Sequence, residues 1–158
     1  MNNPGWRSSE GGRAVVPLIG LLAVATGLAT QVAKVLVSSL RRGRPDFSLL
    51  LASGGMPSSH TATVTALALF VGSRSGWGGP LFSVTLVFAA YVVFEATGLR
   101  QEVGKQARVL NELVDALIAT HTLDRGRLRE LTGHTWGEVA GGLLCGVGGW
   151  LLGRRFLP

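Results

Sequence analysis

Residues 14–40 form a long apolar run whose only charge, Lys34, lies near its far end. A helix of ~20 apolar residues crosses a bilayer core. Three more apolar runs follow, at residues 59–71, 80–98 and 139–152. The second is short and rich in threonine, which suits a helix packed inside a bundle. The second and fourth fall below full spanning length and need their polar ends to extend them. The fourth carries Gly142-x-x-x-Gly146 and Gly149-x-x-x-Gly153, spacings that let helices approach closely. Charged residues make up only 15% of the chain, against roughly 25% in soluble domains. The first run is too long and too weakly bounded for a secretory signal, so it reads as a retained span. The expectation is an all-α integral membrane bundle of about four spans. It forms a single helical domain over residues 14–158, preceded by a polar tail, 1–13.

Between the third and fourth runs lies a polar stretch. In it Val103, Ala107, Leu110, Val114 and Leu117 recur at spacings of four and three. That is the period of an amphipathic helix, and its other face carries Lys105, Arg108, Glu112 and Asp115. Such a helix lies on the membrane, caps the bundle, or walls a site. A charged linker around residues 124–130 follows it.

Four spans place both termini on one side of the membrane. The opposite side holds nine basic residues: Arg41, Arg42, Arg44, Arg100, Lys105, Arg108, Arg125, Arg127 and Arg129. The side with the termini holds five: Arg7, Arg13, Arg74, Arg154 and Arg155. Cytoplasmic loops are enriched in Lys and Arg, which makes the nine-residue side cytoplasmic. The net charge of +6 then reflects retained cytoplasmic loops, attraction to anionic headgroups, or both, rather than a nucleic acid, and it also suits a phosphorylated substrate. The lone Cys145 cannot form an internal disulfide and carries no information on compartment. A homo-oligomer is compatible with the small-residue spacings.

The same topology gathers the polar residues. Lys34 and the Arg41-Arg42-Gly43-Arg44-Pro45 cluster end the first run. Ser58, Ser59 and His60 open the second, Glu95 and Arg100 end the third, and His134 and Glu138 open the fourth. Pro57 suits a first helical turn, a neighbouring serine suits the cap, and helix N-termini attract anions. His134 and Glu138 stand four apart, so a shared helix face is expected. A carboxylate beside one ring nitrogen fixes the tautomer and frees the other as a nucleophile. Arg recognises phosphate bidentately, although an arginine at a span end also snorkels to headgroups. Glu95, inside an apolar run, calls for a partner, and Arg100 and Lys34 are the candidates. His121 has no acidic or cysteine neighbours of metal-ligand spacing, so neither a metal nor another cofactor is expected.

Four strings in order carry a family resemblance. They are Gly54-Gly55-Met56-Pro57-Ser58-Ser59-His60, Phe94-Glu95-Ala96-Thr97-Gly98-Leu99-Arg100, Gly104-Lys105-Gln106-Ala107 with Leu110-Asn111, and Leu131-Thr132-Gly133-His134 with Glu138-Val139. Together they resemble the divergent membrane branch of the type-2 phosphatidic acid phosphatases, related to acid phosphatases and vanadium-dependent haloperoxidases. The resemblance implies that His134 attacks phosphorus and forms a phosphohistidine, with Glu138 orienting it. It makes His60 the acid that protonates the leaving oxygen. Lys34, Arg41, Arg44, Ser58, Ser59 and Arg100 then hold phosphate oxygens, with Glu95 in support. The chain departs from the superfamily pattern at Pro45, which follows Arg44 rather than Arg41. It departs also at Ser59 in place of Gly, at Glu138 in place of Asp, and at Leu128 where the pattern has Arg. Three readings are therefore open: hydrolysis of a lipid or isoprenoid phosphate, non-catalytic binding of a phosphorylated lipid, or a purely structural small membrane protein.

Overall fold

The computed structural model describes residues 10–45, 47–50, 55–119 and 134–157. Every described element is helical: α1 (Glu10–Arg42), α2 (Ser59–Ser75), α3 (Pro80–Thr97), α4 (Leu99–Ala119) and α5 (Trp136–Gly153), with short 3-10 turns at Phe47–Leu50 and Arg154–Phe156. The protein is an all-α bundle. Its bounds follow local signals. Ser58 caps α2 by accepting from Thr61 N, and Pro80 opens α3 directly after Gly79. Helix α1 starts within the polar tail, at Glu10, because Glu and Arg are good helix formers that need no apolar environment. Polar ends likewise extend α2 and α5 beyond their apolar runs.

Helix α2 is the hub, packed on α1, α3 and α5; α1 also meets α5, and α4 rests on α3. The interior is built from small residues. Ala23, Ala66 and Phe70 form one core, and Val64, Ala68 and Ala89 another. Threonine hydroxyls inside the bundle turn back to their own helix, as in Thr26 to Leu22 O (2.8 Å) and Thr30 to Thr26 O (2.7 Å). They therefore pack as small apolar groups. The large apolar side chains point outward, including Leu21, Val24, Leu28, Val32 and Leu36 on α1 and Val84, Val87 and Phe88 on α3. A contiguous apolar exterior of this kind belongs against lipid. Two helical stretches, Pro17–Leu40 and Pro80–Leu117, are long and apolar enough to cross a membrane by themselves.

The glycine spacings of α5 serve packing within the chain. A β-carbon at Gly142 would meet Ser58 O at 2.5 Å, and one at Gly146 would meet Thr65 Cβ at 2.6 Å and Ala62 O at 2.8 Å. Gly149 faces Thr26, and Gly153 faces Phe70.

Helix α4 differs from its sequence reading by one register position. Its buried residues are Gly104, Ala107 and Asn111, with Val114 half-buried, whereas Val103, Leu110 and Leu117 are exposed. Small side chains at 104 and 107 permit the closer approach, so they face inward although larger apolar residues were available.

Gly146→Ala should destabilise the purified protein by about 1–3 kcal/mol, because the methyl group strikes backbone. Gly148, which has nothing within 4 Å of an added β-carbon, should tolerate Ala with a gain of roughly 0.5–1 kcal/mol. Melting midpoints in detergent measure both; equal shifts for the two would disprove the packing assignment.

Candidate functional site

Four helix ends meet at one end of the bundle. The Lys34 side chain comes from the last third of α1 and is only 2% exposed. Gly55 covers its stem: the φ of +97° suits glycine, and a β-carbon there would lie 3.4 Å from Lys34 Cδ. Among the described residues, Lys34 Nζ has no hydrogen-bond partner. The Glu138 carboxylate is the neighbouring charge that acts on it.

Ser58, at 0% exposure, joins α2 to α5. Its N–H donates to Glu138 O (3.0 Å), while its Oγ accepts from Thr61 N (3.3 Å) and Thr61 Oγ1 (3.1 Å). The sequence placed Ser58 among the phosphate contacts; the structure encloses it in the α2 cap. Pro57 is buried just ahead of the cap rather than inside the first turn. Ser59 follows in that turn, half-buried, with its carbonyl accepting from Thr63 Oγ1 at 2.9 Å.

His134 is fixed from three helices. Its N–H donates to Ala96 O at the end of α3 (2.8 Å), and its carbonyl accepts from Gln101 Nε2 of α4 (2.9 Å). Its ring Nδ1 meets Glu138 Oε2 at 2.9 Å, and the residue is 1% exposed. The pair does not share a helix face, as the four-residue spacing suggested. His134 precedes the α5 cap, Thr135. A capping box brings the carboxylate back to it: Glu138 Oε2 accepts from Thr135 N (3.1 Å), and Thr135 Oγ1 accepts from Glu138 N (3.3 Å). An ionised carboxylate only accepts, so Nδ1 carries a proton, and in the neutral ring Nε2 then keeps its lone pair. That Nε2 is buried and has no hydrogen-bond partner among the described residues. The exposed His60 ring lies 6.2 Å from the His134 ring, centroid to centroid, tilted by 54°.

Other expected residues lie elsewhere. Glu95 is exposed on the outer face of α3, beside a shallow groove lined by Val84, Phe88 and Tyr91, and does not serve Lys34. The helical period explains this: positions 84, 88, 91 and 95 share one stripe, while Ala89 and Ala96 face inward. Arg44 follows Gly43 in an exposed turn after α1. Arg41 sits in the last turn of α1 and Arg100 in the first turn of α4, but their side chains lie outside the described residues, as does His121. Two contributors were missed. Gln101 adjoins Arg100 in one of the four strings. Thr135 begins a Thr-x-x-Glu capping box, a pattern visible in the sequence.

Thr135→Ala should cost about 1 kcal/mol of stability and loosen the Glu138–His134 contact, whereas Thr135→Ser should retain both. Thermal melts give the first effect; the ¹⁵N shifts of the His134 ring report the second. Identical ring shifts in wild type and Thr135→Ala would refute the coupling.

A model of the family described as "Divergent PAP2 family" matches residues 18–148. The membrane protein YuiD of Bacillus subtilis (strain 168) is 38% identical over 142 residues, covering 83% of this chain and 89% of that protein. No solved structure matches. The family match spans α1 through most of α5 and takes in His60, His134, Lys34 and Glu138, and the chain belongs to the divergent PAP2 family.

Proposed function

We propose that this protein is a multi-pass membrane phosphatase that hydrolyses a lipid or isoprenoid phosphate or diphosphate through a phosphohistidine. The observation that carries the reading is a pair of buried nitrogens, His134 Nε2 and Lys34 Nζ. Neither has a partner among the described residues, and both lie where four helix ends meet. A buried ammonium is costly unless an anion approaches it. A phosphoryl group would supply that anion and present phosphorus to Nε2.

In the proposed reaction the Nε2 lone pair forms an N–P bond as the P–O bond to the leaving group breaks. The leaving oxygen takes a proton from the His60 imidazolium. Water then attacks phosphorus, His60 accepts its proton, and the N–P bond breaks to release phosphate. Glu138 stabilises the positive charge that develops on the His134 ring. Lys34 holds phosphoryl oxygens. Arg100 and Arg41 are proposed as outer clamps from their places in the first turn of α4 and the last turn of α1. Ser59, in the first turn of α2, and Arg44, beyond the end of α1, remain proposed phosphate contacts on the strength of the family resemblance. Family membership supports this chemistry.

Purified protein should release phosphate from phosphatidic acid or a polyprenyl phosphate, and His134→Ala should not; equal release by the two would sink the idea. His60→Ala should slow esters with poor leaving groups by about 10²–10⁴-fold. With p-nitrophenyl phosphate, whose leaving group needs no proton, the initial burst of p-nitrophenol should survive while the later turnover, which needs His60 as base, slows. Lys34→Met should lower kcat/KM by about 10²–10³-fold in a protein that still melts cooperatively, since neither the α5 cap nor the α2–α5 hydrogen bond uses Lys34.

Enclosure of Ser58 in the α2 cap reduces the expected phosphate contacts and favours a second reading, a non-catalytic receptor for phosphorylated lipids. Saturable vanadate binding by wild type with no turnover would select it. The excess of nine basic residues over five supports a site at the cytoplasmic face. A reporter fused after Pro158 should then read as extracytoplasmic, and a cytoplasmic signal would reverse the assignment.

A further inference from the structure

The end of the bundle that holds His134 adjoins an apolar groove between α2, α3 and α5, with a volume of about 470 Å³. Small residues, among them Ala68 and Ala90, line it together with the larger Phe82, Phe94, Trp136 and Leu143. From Phe82 to Phe94, helix α3 rises about 18 Å, room for much of an extended acyl or prenyl chain. The groove is open to the outside, with Phe94 71% and Trp136 76% exposed.

Its mouth is fixed by the backbone bond that fixes His134. Ala96 O accepts from His134 N at 2.8 Å. Phe94 stands two residues before the acceptor, and Trp136 two residues after the donor. The apolar trough therefore reaches Phe94 and Trp136, at the end of the bundle where the unpartnered nitrogens of His134 and Lys34 are buried. That is the polarity pattern of an amphiphile: a hydrocarbon chain continuous with an anionic head.

We propose that this groove holds one hydrocarbon chain of the phosphorylated lipid, entering sideways from the bilayer, while the phosphate lies against His134 and Lys34. The inference rests on the reading of that cluster as a phosphate site, and not on whether the cluster turns substrate over. A chain moving from lipid into an apolar trough gains little hydrophobic energy, because lipid tails are equally apolar. The groove then selects by position and shape, and the anchored head holds the chain in place.

The test uses the full-length protein in phosphatidylcholine vesicles and an alkyl phosphate carrying a diazirine at the far end of its chain. Photo-adducts should concentrate on α2 and α3 around Ala68 and Phe82. An excess of unlabelled alkyl phosphate should abolish them, and the alkanol of equal length should not. Ala90→Trp, which fills the trough from an exposed position, should remove the competed adducts while keeping the wild-type melting midpoint. If that variant fails to fold, the wild-type map still decides. Adducts scattered over outward residues such as Leu28 and Val84, or equal competition by the alkanol, would overturn the groove. So would a photo-crosslinked dimer through these residues, which would make a second copy the occupant. Groove-specific adducts without phosphate release would sink the catalytic reading alone. Release with scattered adducts would sink the groove alone.

Discussion

The contact on which this structure most depends is the docking of the first turn of α5 against the first turn of α2. Ser58 N–H donates to the Glu138 carbonyl at 3.0 Å. The side chain of the same Glu138 reaches back to Thr135 N and to His134 Nδ1. One residue thus joins two helices through its main chain and aims an imidazole through its carboxylate. The arrangement needs Gly142 one turn further on, where a β-carbon would stand 2.5 Å from Ser58 O. Changes that push α2 and α5 apart should therefore move His134 as well as loosen the core.

The second constraint is electrostatic. Lys34 lies at 2% exposure inside a bundle whose outer surface is apolar, and the Glu138 carboxylate is the neighbouring charge. Glu138 consequently has three tasks: it closes the α5 cap, sets the His134 tautomer and offsets a buried cation. Substituting it would disturb all three, which makes it a poor single probe of chemistry. Lys34 and His60 separate the roles better, since the α5 cap and the α2–α5 hydrogen bond do not use them.

The interior and exterior are reversed relative to a soluble domain. Alanine, glycine and back-bonded threonine fill the inside, while leucine, valine and phenylalanine face out. With lipid outside, burying large apolar groups gives little advantage, and close packing of small ones takes over. The same logic explains why α4 turns Gly104 and Ala107 inward. It also explains why α3, apolar all round, gave no hint from its sequence of which face would hold Glu95.

The four apolar runs, their polar ends and the order of the motif strings were legible in the sequence, because helix periods and capping residues act over a few positions. That was enough to bring Lys34, His60, His134 and Glu138 to one end of a helical bundle. The contacts within that end were decided by the tertiary structure. Ser58 became an interhelical lock, Glu95 turned to the outer face, and Gln101 of α4 came to hold the His134 carbonyl. The His134–Glu138 pairing was legible as a spacing, but its cause was not: the pair depends on a capping box rather than a helix face. The physical reason is one of range. Periodicity and caps are local, whereas the rotation of each helix about its axis is set by which small residues let neighbouring backbones meet.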